Sequence, residues 1–166
     1  MDKMHRGAGA HTSDPQSGDS VTTSAKPRIV VGVDGSDGSK DALRWAAQLA
    51  DSFGARIDAI ATWEMPMVSM WSLLPASFSP QPDIEKLLEK TVTEVFGPDR
   101  PQDMRLKVFE GPAAEMLIEL SQGALMVVVG NRGLGGFAGV LLGSVSSRVA
   151  EHAACPVLVA RGTPST

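Results

Sequence analysis

Leu125-Met-Val-Val-Val129, followed at once by Gly130-Asn-Arg-Gly133 and, after nine further residues, by Gly143-Ser144, decides the reading of this chain. A short continuous apolar run rich in valine is what a parallel strand covered on both faces requires. Glycines directly after such a strand let backbone N–H groups approach phosphate oxygens closely, and a helix starting near Gly143 adds the positive end of its dipole. Ser144 is placed to cap that helix or to donate its hydroxyl. The spacing matches neither the Gly-Lys-Ser/Thr of a P-loop nor a compact GxGxxG that opens a first helix.

Working outward, the flanking sequence repeats a βα pattern. Ile29 to Val33 is a short apolar run, and after the Asp34-Gly35-Ser36 turn Ala42, Trp45, Ala46, Leu49 and Phe53 recur at helical spacing, with Gly54 as the C-cap. Ile57 to Thr62 reads as a second strand. Ile84, Leu87, Leu88, Val92, Val95 and Phe96 give a second helix, stopped by Gly97-Pro98. Arg105-Leu106-Lys107-Val108 alternates charged and apolar residues, as expected of a sheet edge guarded against pairing. Pro112 opens a third helix with Met116, Leu117 and Leu120 inward, the last helix runs from about Ser144 to His152, and Val157 to Ala160 forms the last strand. Five strands alternating with four helices imply an α/β fold: a doubly wound, parallel, Rossmann-like sheet with right-handed crossovers.

Two segments fall outside this pattern. Residues 1–26 are rich in Ser, Thr, Gly and Asp and are expected to form a disordered tail in which His5 and His11 are solvated. Glu64 to Pro82 is a long connection rich in Met and Pro and containing Trp71, expected either to act as a flap or partner surface or to cover the sheet end. The domain organisation expected is therefore a tail over 1–26, one domain over 27–161 and a short tail over 162–166.

Composition narrows the function. The 166 residues are 43% hydrophobic and 20% charged, with a net charge of −4 and a pI near 5.3. An acidic chain with no Lys/Arg stripe is not expected to bind nucleic acid generally. No apolar run reaches the roughly 20 residues that span a bilayer, so no membrane partner is expected. The single Cys155 cannot form an internal disulfide, and no signal-peptide pattern opens the sequence, so a cytoplasmic place is expected.

The glycine spacing, taken with Val31-Gly-Val-Asp34-Gly-Ser36, Val108-Phe-Glu-Gly111-Pro-Ala113 and Cys155-Pro156-Val-Leu-Val159 in that order, resembles the universal stress protein family from about Pro27 to Arg161. The resemblance implies an adenine nucleotide alpha hydrolase-like sheet of order 3-2-1-4-5, ATP as ligand and a homodimer through the last strand, 157–160. In that order the switch point lies between strands one and four, where Asp34 and the Gly130 loop both emerge. The phosphates fall to Gly130, Gly133, Gly143 and Ser144, with Val145 counted among the nucleotide-binding residues and Arg132 either reaching phosphate or standing in solvent. Asp34 is implied to accept hydrogen bonds from ribose or adenine; the alternative is a helix N-cap. Gly32, Val33 and Thr62 would line the base, and Val129 would touch the ribose. ADP, AMP and cyclic AMP fit the same residues, and Mg2+ would accompany the phosphates.

One departure stands out: Gly123-Ala124-Leu125 replaces the Gly-Ala-Asp familiar in the family. Catalysis finds little support, since Asp34 is the one plausible carboxylate near the loop, His152 is expected to pack or face solvent, and Cys155 is expected in the core. The function expected is a nucleotide-responsive regulatory dimer. The alternatives are a slow ATPase or self-phosphorylating enzyme and a nucleotide-independent interaction module.

Overall fold

A computed structural model describes residues 26–65, 79–135, 141–162 and 164. The expected tail, the greater part of the Glu64 to Pro82 connection and Gly136 to Val140 of the glycine loop lie outside the described residues. The strands are β1 (Arg28–Gly32), β2 (Arg56–Trp63), β3 (Met104–Glu110), β4 (Met126–Gly130) and β5 (Val157–Ala160). The helices are α1 (Asp37–Phe53), α2 (Gln81–Phe96), α3 (Ala113–Leu120) and α4 (Ser144–His152).

All pairings are parallel and the sheet order is β3-β2-β1-β4-β5, as the doubly wound reading requires. Strand alternation divides the buried side chains into two cores. Ile29, Val31, Ile57, Ala59 and Val128 meet α1 and α2 on one face, and Val30, Ile60, Val127 and Val129 meet Leu117 of α3 and Val149 of α4 on the other. The central strands have no water-facing side, which is why their sequences are apolar runs rather than alternations.

On α1 the expected Ala42 and Ala46 are buried and Trp45 and Leu49 pack against the core, but Phe53 does not. The buried residues are Ser39, Ala42, Leu43, Ala46 and Ala50, whereas Phe53 is 54% exposed. Small side chains let this helix lie close against β1 and β4. Trp45 is partly buried against the core and donates its indole N–H to Gly162 O at 3.0 Å. Helix α2 begins at Gln81, earlier than the apolar period indicated, because Pro82 suits the first turn. Pro112 is the N-cap of α3, one place before the first turn assigned to it.

At the turn where the family's aspartate is missing, Ser121 is buried and ties three segments together. Its Oγ donates to Ile118 O at 2.6 Å and accepts from Ala154 N at 2.8 Å, while Ala124 N donates to Ser121 O at 3.1 Å. The turn before β4 is thus held without a carboxylate.

At the same end of the sheet, Asp58 is buried at 1% exposure among cations. It accepts from Lys107 Nζ at 2.8 Å and Arg56 Nε at 3.4 Å, with Arg28 at 4.0 Å. Arg28 also donates to Leu120 O and Gln122 O at the C-terminal end of α3, where carbonyls lack helical partners.

Candidate nucleotide site

The C-terminal ends of β1 and β4 diverge into the two loops that build the site. After β1, Ser36 and not Asp34 caps α1: its extended backbone and its Oγ, which accepts Ser39 N at 3.2 Å, meet the N-cap requirement. Asp34 stands behind the cap. Its Oδ1 accepts from Ser36 N at 3.0 Å and Ser36 Oγ at 2.5 Å, and its Oδ2 crosses the crevice to accept Leu134 N at 3.1 Å. One carboxylate therefore spans both loops. Gly35 turns the chain there with φ 86°, a conformation that glycine adopts without strain.

The glycines after β4 are needed for two different reasons. Gly130 lies backbone to backbone against Gly38 in the first turn of α1, and Gly133 lies against the Asp34 carboxylate, so neither has room for a Cβ. Gly143 is different: a Cβ there would meet Arg132 Cα at an ordinary 3.6 Å, and its backbone, φ −69° and ψ 161°, suits any residue. Packing inside the protein accounts for the first two glycines. It does not account for the third.

Gly143, not Ser144, is the N-cap of α4, and it provides no side-chain cap. Ser144 is the first helical residue and is exposed. The buried hydroxyl in this turn belongs to Ser146, which donates to Gly130 O at 2.6 Å and so spends itself on fixing the helix to β4. Gly143 N donates to Asn131 O at 2.8 Å. The first-turn amides of α4 thus have neither a capping oxygen nor an acidic first-turn residue among the described residues.

These loops wall a cavity of 760 Å3, within the range of about 300–1,000 Å3 usual for small-molecule sites. All of Gly32, Val33, Asp34, Thr62, Val129, Gly130, Arg132, Gly133, Gly143, Ser144 and Val145 line it. Residues that the sequence reading did not assign also line it, among them Ser36, Ile60, Leu117, Ile84 and Leu87. Leu117 packs against Gly32 and Val129, forming an apolar slot beside the glycine loop. Its helical period marked it as inward, but only the α3 placement turns it toward the crevice. Leu87 closes over Gly35 from α2.

The charged residues among the described lining are Asp34 and Arg132. His152, exposed at the end of α4, and Cys155, half-buried just before β5, do not line it. Burial pushes the Cys155 thiol up, away from the thiolate form. Among the described residues no group of three or more His, Cys, Asp or Glu is placed to hold a metal, and no helix is long and apolar enough to cross a membrane.

Comparison with known proteins agrees with this geometry. The model of the universal stress protein family matches residues 27–161. A universal stress protein of Mycolicibacterium smegmatis is 33% identical over 150 residues, covering 86% of this chain and 50% of the relative. The chain thus spans about half the length of that mycobacterial relative. Universal stress protein MJ0531 of Methanocaldococcus jannaschii is 30% identical over 142 residues, 81% of each chain. Among solved structures, a universal stress protein in complex with cAMP is 31% identical with a TM-score of 0.57, covering 83% of this chain and 98% of that one. With the family match extending across every strand and helix described, this chain belongs to the universal stress protein family.

Proposed function

We infer that the crevice binds an adenine nucleotide, ATP in the first instance, and that binding regulates the protein rather than feeding a reaction. The observation that carries this reading is the N-terminus of α4, which has no side-chain cap and opens beside an apolar slot of nucleotide size. Amides and helix dipole there favour an anion. The slot formed by Val33, Thr62 and Leu117 suits a base, Asp34 suits the hydroxyls of a ribose or the amino group of adenine, and Arg132 suits a phosphate. The cAMP-bound family member at 31% identity supports the ligand class.

Mg2+ enters with the phosphates in this reading, because Asp34 is the single carboxylate of the described lining and its oxygens are already engaged. The regulatory unit is a homodimer joined at β5, an edge strand whose Val157, Leu158 and Val159 are only partly covered. A single, unpaired Cys155 accords with work in the cytoplasm.

The deciding experiment is thermal unfolding of nucleotide-free protein with ATP, ADP, AMP, cAMP and GTP, each with and without Mg2+. A ligand at a hundredfold excess over its dissociation constant stabilises by about 2.7 kcal/mol, several degrees for a domain of this size. A shift with adenine nucleotides and none with GTP supports the reading. No shift with any of them removes it.

A further inference from the structure

Among the described residues β3 ends the sheet on the side opposite β5 and pairs only with β2. Two bonds set its parity: Ile57 N donates to Asp103 O at 3.2 Å, and Gly111 N donates to Trp63 O at 2.8 Å. Odd-numbered residues therefore bond inward to β2, and Leu106, Val108 and Glu110 present their N–H and C=O groups outward. Among the described residues, no backbone hydrogen bond reaches these outward groups.

The side chains along this edge differ in chemistry between the two faces. Toward α2, Leu106 and Val108 are half-buried and form one wall of a second cavity, of 450 Å3, completed by Pro82, Glu85, Lys86, Leu88 and Glu89. Toward α3, Arg105 is exposed and Lys107 is a third exposed, with Arg28 and Arg56 beside them. Three of these cations, Arg28, Arg56 and Lys107, surround one carboxylate, Asp58, and Arg105 is the register partner of Asp58 across the strands, in a chain of net charge −4. Glu110 reverses the sign at the far end of the strand.

From this arrangement we propose that the outer edge of β3 takes up an extended peptide as a sixth strand, acidic at the positions that face Arg105 and Lys107 and apolar at the positions between. Main-chain pairing supplies the affinity, and alternate side chains supply the specificity. The acidic side chains meet the cationic face, and the apolar ones enter the groove beside Leu106 and Val108. A second copy of β3 is a poor occupant, because Arg105 and Lys107 would meet their own kind. A nucleic acid lacks both the strand hydrogen-bonding pattern and the apolar alternation.

The test uses the full chain and two synthetic peptides, acetyl-Gly-Glu-Val-Glu-Val-Gly-amide and the same sequence with Lys in place of Glu. Amide exchange and chemical shifts are followed by NMR. The acidic peptide is expected to slow exchange at Leu106 and Val108 and to bind more weakly as salt rises, and the basic peptide is expected to do neither. Arg105→Glu, at an exposed position, should weaken the acidic peptide by about tenfold. Val108→Pro removes an outward N–H at an edge position that tolerates proline and should abolish binding while the protein still unfolds cooperatively. Equal binding of the two peptides, or shifts confined to other strands, overturns the proposal. So does slow exchange at Leu106 and Val108 before any peptide is added, which would mean that the chain itself or a second copy already covers the edge.

Discussion

The carboxylate of Asp34 occupies the space that a side chain on Gly133 would need, and its Oδ2 accepts the N–H of Leu134 at 3.1 Å. The loop after β1 and the loop after β4 are thereby locked together across the crevice. A side chain on Gly133 would have to displace this carboxylate from its hydrogen bonds, whether or not a nucleotide binds. Gly133→Ala is expected to push Asp34 aside and cost about 1–3 kcal/mol, as overpacking does. Chemical denaturation would read that loss, with nucleotide affinity falling alongside it.

Gly143 separates binding from folding. A serine there fits the backbone, its Cβ meets only ordinary contacts among the described residues, and its Oγ becomes a cap for the α4 amides. Gly143→Ser should leave stability unchanged or raise it by about 0.3 kcal/mol. Nucleotide affinity should fall about tenfold, because the new oxygen takes the donors a phosphate needs. Denaturation and calorimetric titration of the same sample would check both halves. Unchanged affinity would detach the phosphate from α4.

Gly130 and Gly38 meet backbone to backbone where β4 passes the first turn of α1. Neither side can yield as a flexible side chain would. Gly130→Ala and Gly38→Ala should each cost about 2 kcal/mol, lowering Tm by roughly 6 °C, and the double variant should not restore stability. Differential scanning calorimetry would measure the three variants side by side.

Asp58 predicts the acid limb of stability. Burial is the largest single influence and pushes its carboxyl up, but the hydrogen bond and charge of Lys107, with Arg56, overcome it and hold the group below the usual carboxylate value. A lowered folded-state pKa means that the stabilisation is complete above the unfolded value of about 3.9 and is lost as pH falls through the lower folded value. Asp58→Asn should cost about 3 kcal/mol at neutral pH, since Lys107 and Arg56 keep their charges without the carboxylate. Its stability should then vary less between about pH 4 and pH 2 than that of the parent. Urea unfolding at a series of pH values reads both effects.

Asp34→Ala should remove the three hydrogen bonds to Ser36 N, Ser36 Oγ and Leu134 N, cost about 1–2 kcal/mol and weaken nucleotide binding. A phosphate-release assay on the same pair of proteins distinguishes binding from turnover. Release that grows linearly with time and protein and disappears in the variant would favour hydrolysis over a purely regulatory site.

Much of the fold was legible in single residues. Ile29 to Val33 and Met126 to Val129 are apolar without interruption because both faces of a central parallel strand are covered. The alternation Arg105-Leu106-Lys107-Val108 announced an edge strand, and β3 is one. Gly54 and Gly97 ended their helices as expected, both at positive φ. On α1 the period of Ala42, Trp45, Ala46 and Leu49 marks the side that meets the core, and Phe53 at the end of the helix is the exception, because the last turn runs past the sheet into solvent. The capping role of Ser36 and the anchoring of α4 to β4 by Ser146 were hidden among neighbouring serines, any of which satisfies the local pattern.

The sequence by itself determined the alternation of strands and helices, the parallel sheet and the segment where the glycines gather, because these depend on periodicity and backbone freedom, which are local. Tertiary structure alone decided that Gly38 presses on Gly130, that Asp34 bridges two loops, that Leu117 walls the crevice and that Asp58 is buried among Arg28, Arg56 and Lys107. Each of these relationships joins residues on separate strands, helices or loops. Their distances are set by how the two helical layers settle on a twisted sheet, and no local pattern along the chain encodes them.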